Sequence, residues 1–112
     1  MPTFRALVLT AALAAAAMAA KKGFIVRQED KAFSAEKIHI RPGEKVIFQN
    51  LDDITHNIFS ASKGNEFNIN VQKPGGSTGV TFWNEGEVDV RCAIHPKMKM
   101  TIIVGDSAGK GE

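Results

Sequence analysis

The sequence predicts an all-β domain, an antiparallel sandwich or barrel of seven to eight short strands. Three features point that way. Turn signals at Arg41-Pro42-Gly43-Glu44, Pro74-Gly75-Gly76 and Asn84-Glu85-Gly86 break the chain at short intervals. The segments between them alternate polar and apolar residues, or are rich in valine, isoleucine, threonine and phenylalanine. No segment after residue 22 holds its apolar residues in the 3.6-residue period of a helix.

In chain order, Phe24–Gln28 reads as the first strand, and Lys31–Glu36 has room for one turn of helix at most. Lys37–Arg41 alternates, turns at Pro42, and is expected to return as Lys45–Asn50. His56–Ser60 and the cleanly alternating Phe67–Gln72 follow. Gly79–Trp83, Glu87–Cys92 and Lys99–Val104 complete the set. The chain has no tyrosine, so seven phenylalanines and Trp83 must supply the aromatic filling.

The N-terminus is expected to be an export signal rather than part of the fold. Arg5 supplies a positive charge, residues 6–17 an apolar, alanine-rich run, and Ala17-Met18-Ala19 a small-residue cleavage site. A membrane span needs about 20 strongly apolar residues, and this shorter run meets Lys21-Lys22 at once. The expected organisation is a signal peptide at 1–19 (cleavage after Ala19 or Ala20), one domain at 20–105, and a short flexible tail at 106–112. Removing the signal leaves about 92 of the 112 residues, one domain with a modest core. The formal charge is +2, with acidic and basic residues well mixed after Lys22, which gives no support for nucleic-acid binding.

Cys92 is the one cysteine. In an exported domain of this size, where disulfides are common, a lone thiol is buried and inert, paired between chains, reactive, or bound to a metal. Its surroundings favour a metal. The loop Cys92-Ala93-Ile94-His95-Pro96-Lys97-Met98 joins the last two strands, and His56-Asn57 closes an Asp-rich loop upstream. A thiolate, two imidazoles and a thioether suit copper in both oxidation states: sulfur favours the cuprous ion, and imidazole also satisfies the cupric one. A tight loop lets Cys92, His95 and Met98 converge, with His56 arriving from the neighbouring loop.

These residues resemble the small cupredoxins, the amicyanin type most closely, over roughly residues 38 to 104. The resemblance is carried by Gly86–Met98, where a glycine turn leads into a strand ending in cysteine, then histidine and methionine, and by His56-Asn57. It implies a Greek-key fold and a single type 1 (blue) copper ion held by His56, Cys92, His95 and Met98, with Asn57 beside the cysteine sulfur. It also implies outer-sphere, single-electron transfer rather than catalysis. The expected partner is a dehydrogenase, cytochrome c or oxidase-type redox protein docking near His95, and the protein is expected to be a periplasmic monomer. Met100 competes with Met98 for the axial position, but only Met98 keeps Ile102-Ile103-Val104 in register with the closing strand of the amicyanin pattern. The family usually carries serine or threonine after the cysteine. Ala93 stands there instead, so Asn57 loses that side-chain partner.

Other residues receive plainer roles. His39 is expected on the polar face of a strand, Trp83 in the core, and Asp52 and Asp53 as solvated loop formers. Lys97 and Lys99 are ordinary surface charges, although they flank His95, where an acidic patch on a partner would suit them. Competing readings are a copper carrier or sensor without electron transfer, tetrahedral zinc on two histidines and a thiolate, and a hydrolytic Cys92–His95 pair. Copper enzymes on this fold generally need a second copper site, and only His39 is spare.

Overall fold

The computed structural model describes residues 23–106, so the expected signal peptide at 1–19 and the tail from 107 onward lie outside the described residues. Nine strands form: β1 (Phe24–Glu29), β2 (Ala32–Phe33), β3 (Lys37–Ile40), β4 (Glu44–Asn50), β5 (Ile58–Ser60), β6 (Phe67–Asn68), β7 (Ser77–Phe82), β8 (Gly86–Cys92) and β9 (Lys99–Val104). They make two sheets, in the orders β2-β1-β4-β7 and β3-β9-β8-β5-β6. No helix among the described residues is long and apolar enough to cross a membrane.

The all-β expectation holds, but the purely antiparallel one does not. β1 runs parallel to β4, and β3 parallel to β9. Alternation along a strand records which face is buried and is blind to the direction of its neighbour. The Arg41–Glu44 turn likewise forms without making a hairpin. Gly43 takes φ +90°, the value a type II turn requires after Pro42, and the Glu44 N–H donates to the Arg41 carbonyl at 3.1 Å. Yet β3 and β4 pair in different sheets, so this turn is a corner between layers.

Two further segments differ from expectation. Lys31–Glu36 contains no helical turn. Asp30 and Lys31, at φ 55° and 56°, make a two-residue turn that pairs β2 with β1, the left-handed geometry that matches strand twist in a tight hairpin. Phe67–Gln72 pairs as a strand only over its first two residues. Asn70 at φ 65° bends the chain, and its N–H donates to Asn68 Oδ1 at 2.7 Å, a local side-chain bond that displaces the ladder.

Burial follows the alternation. Val88, Val90 and Cys92 of β8, and Met100, Ile102 and Val104 of β9, point inward against Val26, Val46 and Phe48 of the other sheet. Phe67 stacks on Phe48 and meets Phe82 edge to face, with centroids 5.7 and 5.6 Å apart. Trp83, expected inside, is 70% exposed and lies over Gly43, where a Cβ would come within 3.3 Å of its ring. The layer also buries amides. Gln28 Nε2 donates to Gln72 Oε1 at 2.7 Å, and Gln72 Nε2 donates to the Phe48 carbonyl at 2.9 Å. Asn50 Nδ2 donates to the carbonyls of Ile54 and Gln72. Together these bonds brace the loop that leads to His56.

Candidate metal centre

Cys92 is the last residue of β8, and its inward side follows from the alternation Val88, Val90, Cys92. The chain turns back at once: the Met98 N–H donates to the His95 carbonyl at 2.9 Å, and the Cys92 N–H reaches the Met98 carbonyl at 3.4 Å. This tight loop buries Cys92 and Met98 and leaves His95 half-exposed. Met100 lies one turn of the pleat further on, opposite Val90 inside β9 and within the core.

His56 enters from the other side, fully buried. Its backbone forms a two-way bridge with Gln72, its N–H donating at 3.0 Å and its carbonyl accepting at 2.8 Å. Its ring is set by Asp52, whose Oδ2 lies 2.6 Å from Nε2. Asp52 also accepts the N–H groups of Asp30 at 2.6 Å and Lys31 at 3.1 Å. Burial pushes the Asp52 carboxyl up, but the His56 bond and the two N–H groups outweigh it and hold the carboxyl below its usual value. Asp52 is therefore no solvated loop former, a correction to the sequence reading; Asp53 is exposed as expected. The available signal was an acid four residues before a candidate ligand histidine.

With Nε2 committed to Asp52, His56 turns Nδ1 toward Cys92 Sγ, 3.8 Å away. His95 Nδ1 lies at the same 3.8 Å, and the two rings meet edge to face with centroids 5.0 Å apart. All three donor atoms fall within 4.8 Å of one another. An ion about 2.3 Å from sulfur and about 2.0 Å from nitrogen, in a trigonal plane, separates those donors by about 3.8 Å. The spacing fits a single ion.

Asn57 joins the two loops through its backbone. Its N–H points at Cys92 Sγ at 3.4 Å, and its carbonyl accepts the Ala93 N–H at 3.0 Å. Its side chain, without a hydroxyl at position 93, donates to Asn68 Oδ1 at 2.9 Å and to the Asn70 carbonyl. Here the left-handed bend at Asn70 supplies what the alanine removed. His39 stands on β3 beside Ile103, away from these donors.

Comparison with known proteins agrees. The copper-binding proteins of the plastocyanin/azurin family match residues 21–105. No curated protein matches in sequence. An amicyanin variant solved with Cu(I) superposes with a TM-score of 0.68 at 19% identity, over 73% of this chain and 81% of that one. A reduced amicyanin variant at pH 4 gives 0.67 and 20%, with the same coverage. A copper-containing nitrite reductase from Thermus scotoductus SA-01 gives 0.70 and 24% over 76% of this chain, which spans only 23% of the reductase. At such identities the structural likeness speaks to fold, and the family match to kind: the chain belongs to the plastocyanin/azurin family of copper-binding proteins, with copper as its cofactor.

Proposed function

We propose that this protein is a type 1 copper electron carrier whose copper would be held by His56, Cys92 and His95, with Met98 as the fourth ligand. The convergence of one thiol and two Nδ1 atoms, each 3.8 Å from the sulfur, carries the reading. Bound copper supplies a one-electron couple. The chain supplies a rigid cage: His56 is locked between Asp52 and the Gln72 bridge, and the Asn57 N–H holds the sulfur. Donors that cannot move on a change of oxidation state keep the reorganisation small.

His95 is the half-exposed ligand, and its outer edge is the short route to a redox partner. Ile94, 54% exposed, and Pro96 surround that edge and offer apolar contact suited to a small, brief interface. Met98 is preferred over Met100 because it sits on the ligand loop, whereas Met100 fills the core opposite Val90. The protein is read as a non-enzyme, exported by the peptide at 1–19 to the periplasm and working as a monomeric domain over 20–105.

The test is the visible spectrum after one equivalent of cupric ion is added. An intense band near about 600 nm, bleached by a mild reductant, is the expected outcome for a copper–thiolate site. A colourless protein that binds cuprous ion or zinc tightly would overturn the electron-carrier reading in favour of a copper carrier or a structural metal.

A further inference from the structure

An open groove of about 660 Å³ lies on the outer face of β3, β9 and β8, next to the candidate copper loop. Lys37, Arg91, Lys97 and Lys99 line it, with Glu36 and Asp89 as its acidic members. Four cations against two carboxylates give the groove a net +2, the formal charge of the whole chain. The other described residues number six basic and nine acidic, so the groove is a positive patch on an otherwise acidic domain.

The arrangement is not one a stable sheet selects for itself. Arg91 stands directly opposite Lys99 in the β8–β9 ladder, and like charges across a ladder destabilise it. Asp89 answers only Arg91, at 2.9 Å, between side chains that are both about half exposed, and such a pair contributes little. Among the described residues, Lys37, Lys97 and Lys99 form no ion pair. Three unneutralised ammonium groups are thus held around a concavity next to the ligand loop: Arg91 directly precedes Cys92 in the chain, and Lys97 and Lys99 flank Met98.

We propose that this groove docks an acidic surface of the redox partner, carboxylate-rich side chains entering between Lys37, Arg91, Lys97 and Lys99. The inference rests on the electron-carrier reading. It adds to the lysines beside His95 two cations that only the folded sheet brings together with them, Lys37 from β3 and Arg91 from β8. A positive concavity accelerates encounter with an acidic partner and orients it before contact. A partner held here sits against the Cys92 end of β8, beside the His95 edge.

The test uses the copper(I)-loaded protein, ¹⁵N-labelled, titrated with a hexaglutamate peptide as the acidic probe. Amide shifts are expected to saturate and to cluster at residues 36–37, 89–91 and 97–101. They should fade at about 0.5 M salt, where the Debye length falls to roughly 4 Å. Lys37→Glu, on a strand that carries no proposed ligand, should weaken the peptide about fivefold or more, with the blue band of the cupric form retained. Shifts centred on Lys45, Lys63 or Lys73, or an affinity unmoved by Lys37→Glu, would overturn the proposal. So would binding to anionic lipid vesicles with no response to the peptide. Peptide binding as expected, in a protein whose cupric form shows no reducible band, would instead remove the electron-carrier reading and leave the acidic-ligand site standing.

Discussion

Asp52 serves three donors at once, His56 Nε2 and the N–H groups of Asp30 and Lys31, with its side chain 10% exposed. It fixes which nitrogen of His56 faces the sulfur, and it ties the β1–β2 turn to the ligand loop. Asp52→Asn keeps the shape but loses the charge, so copper affinity should fall 10- to 100-fold, read by competition with a chelator of known affinity. The carboxyl is lowered from its usual 3.8, so its stabilisation is fully present above that value and is lost as pH falls through the depressed folded one. In acid titrations followed by circular dichroism, the Asn variant should show a shallower loss of stability over that range; an unchanged profile would place the stabilisation elsewhere. Around the sulfur, Cys92→Ser should abolish the blue band. Met98→Leu should keep copper and raise the reduction potential, while Met100→Leu leaves spectrum and potential unmoved. The reverse pattern in voltammetry would move the axial ligand to Met100.

The β1–β2 hairpin carries two consecutive non-glycine residues in the left-handed region, Asp30 and Lys31. Glycine occupies that region without the Cβ conflict. Lys31→Gly keeps the amide that Asp52 accepts and should raise unfolding free energy by about 1 kcal/mol, measured by urea denaturation. The Arg41–Glu44 corner behaves oppositely. Gly43→Ala places a Cβ at φ +90° and 3.3 Å from the Trp83 ring, and should cost about 1–3 kcal/mol in the same assay. The β8–β9 connection is the element closest to function. Because the strands pair from Gly86↔Val104 to Arg91↔Lys99, the seven residues from Cys92 to Met98 are fastened at both ends, and the ligand loop has little freedom to sample other shapes.

Between the two sheets, the Gln28–Gln72 bond and the Asn50 amide put polar groups where a core is usually apolar. Gln72 is the hub: its side chain bonds Gln28 and the Phe48 carbonyl, and its backbone bridges His56. Gln28 Oε1 is buried with no hydrogen-bond partner among the described residues. Gln72→Leu strands the Gln28 amide and the Phe48 carbonyl, and should cost about 2–4 kcal/mol. Adding Gln28→Leu removes one stranded group, so the double variant should recover part of that loss, a coupling read from a double-mutant cycle in denaturant. Strict additivity would mean that the two amides do not act together. The gathering of positive charge in the β3–β9–β8 groove belongs to the same level of organisation, since no short stretch of sequence contains Lys37, Arg91 and Lys99 together.

Much was legible in the chain itself. Alternation set the inward faces of β8 and β9, because a period of two admits one buried face. The turn at Pro42-Gly43 was legible because only a residue tolerant of positive φ fits there. The candidate donors Cys92, His95 and Met98 were legible because one short loop carries all three, and the structure brings Cys92 and His95 together with His56. What remained hidden shares one cause: it depends on which strand lies beside which. Parallel pairing of β1 with β4 and β3 with β9, the escape of Trp83 to the surface, and the bend at Asn70 are decided by neighbours distant in sequence. The same holds for Asp52, whose role appears only when the β1–β2 turn and the His56 ring close on its carboxylate. Local chemistry was written in the sequence by spacing and residue type, whereas second partners, strand direction and the gathering of charge were decided by the tertiary structure, because each is a contact between segments that the chain brings together only on folding.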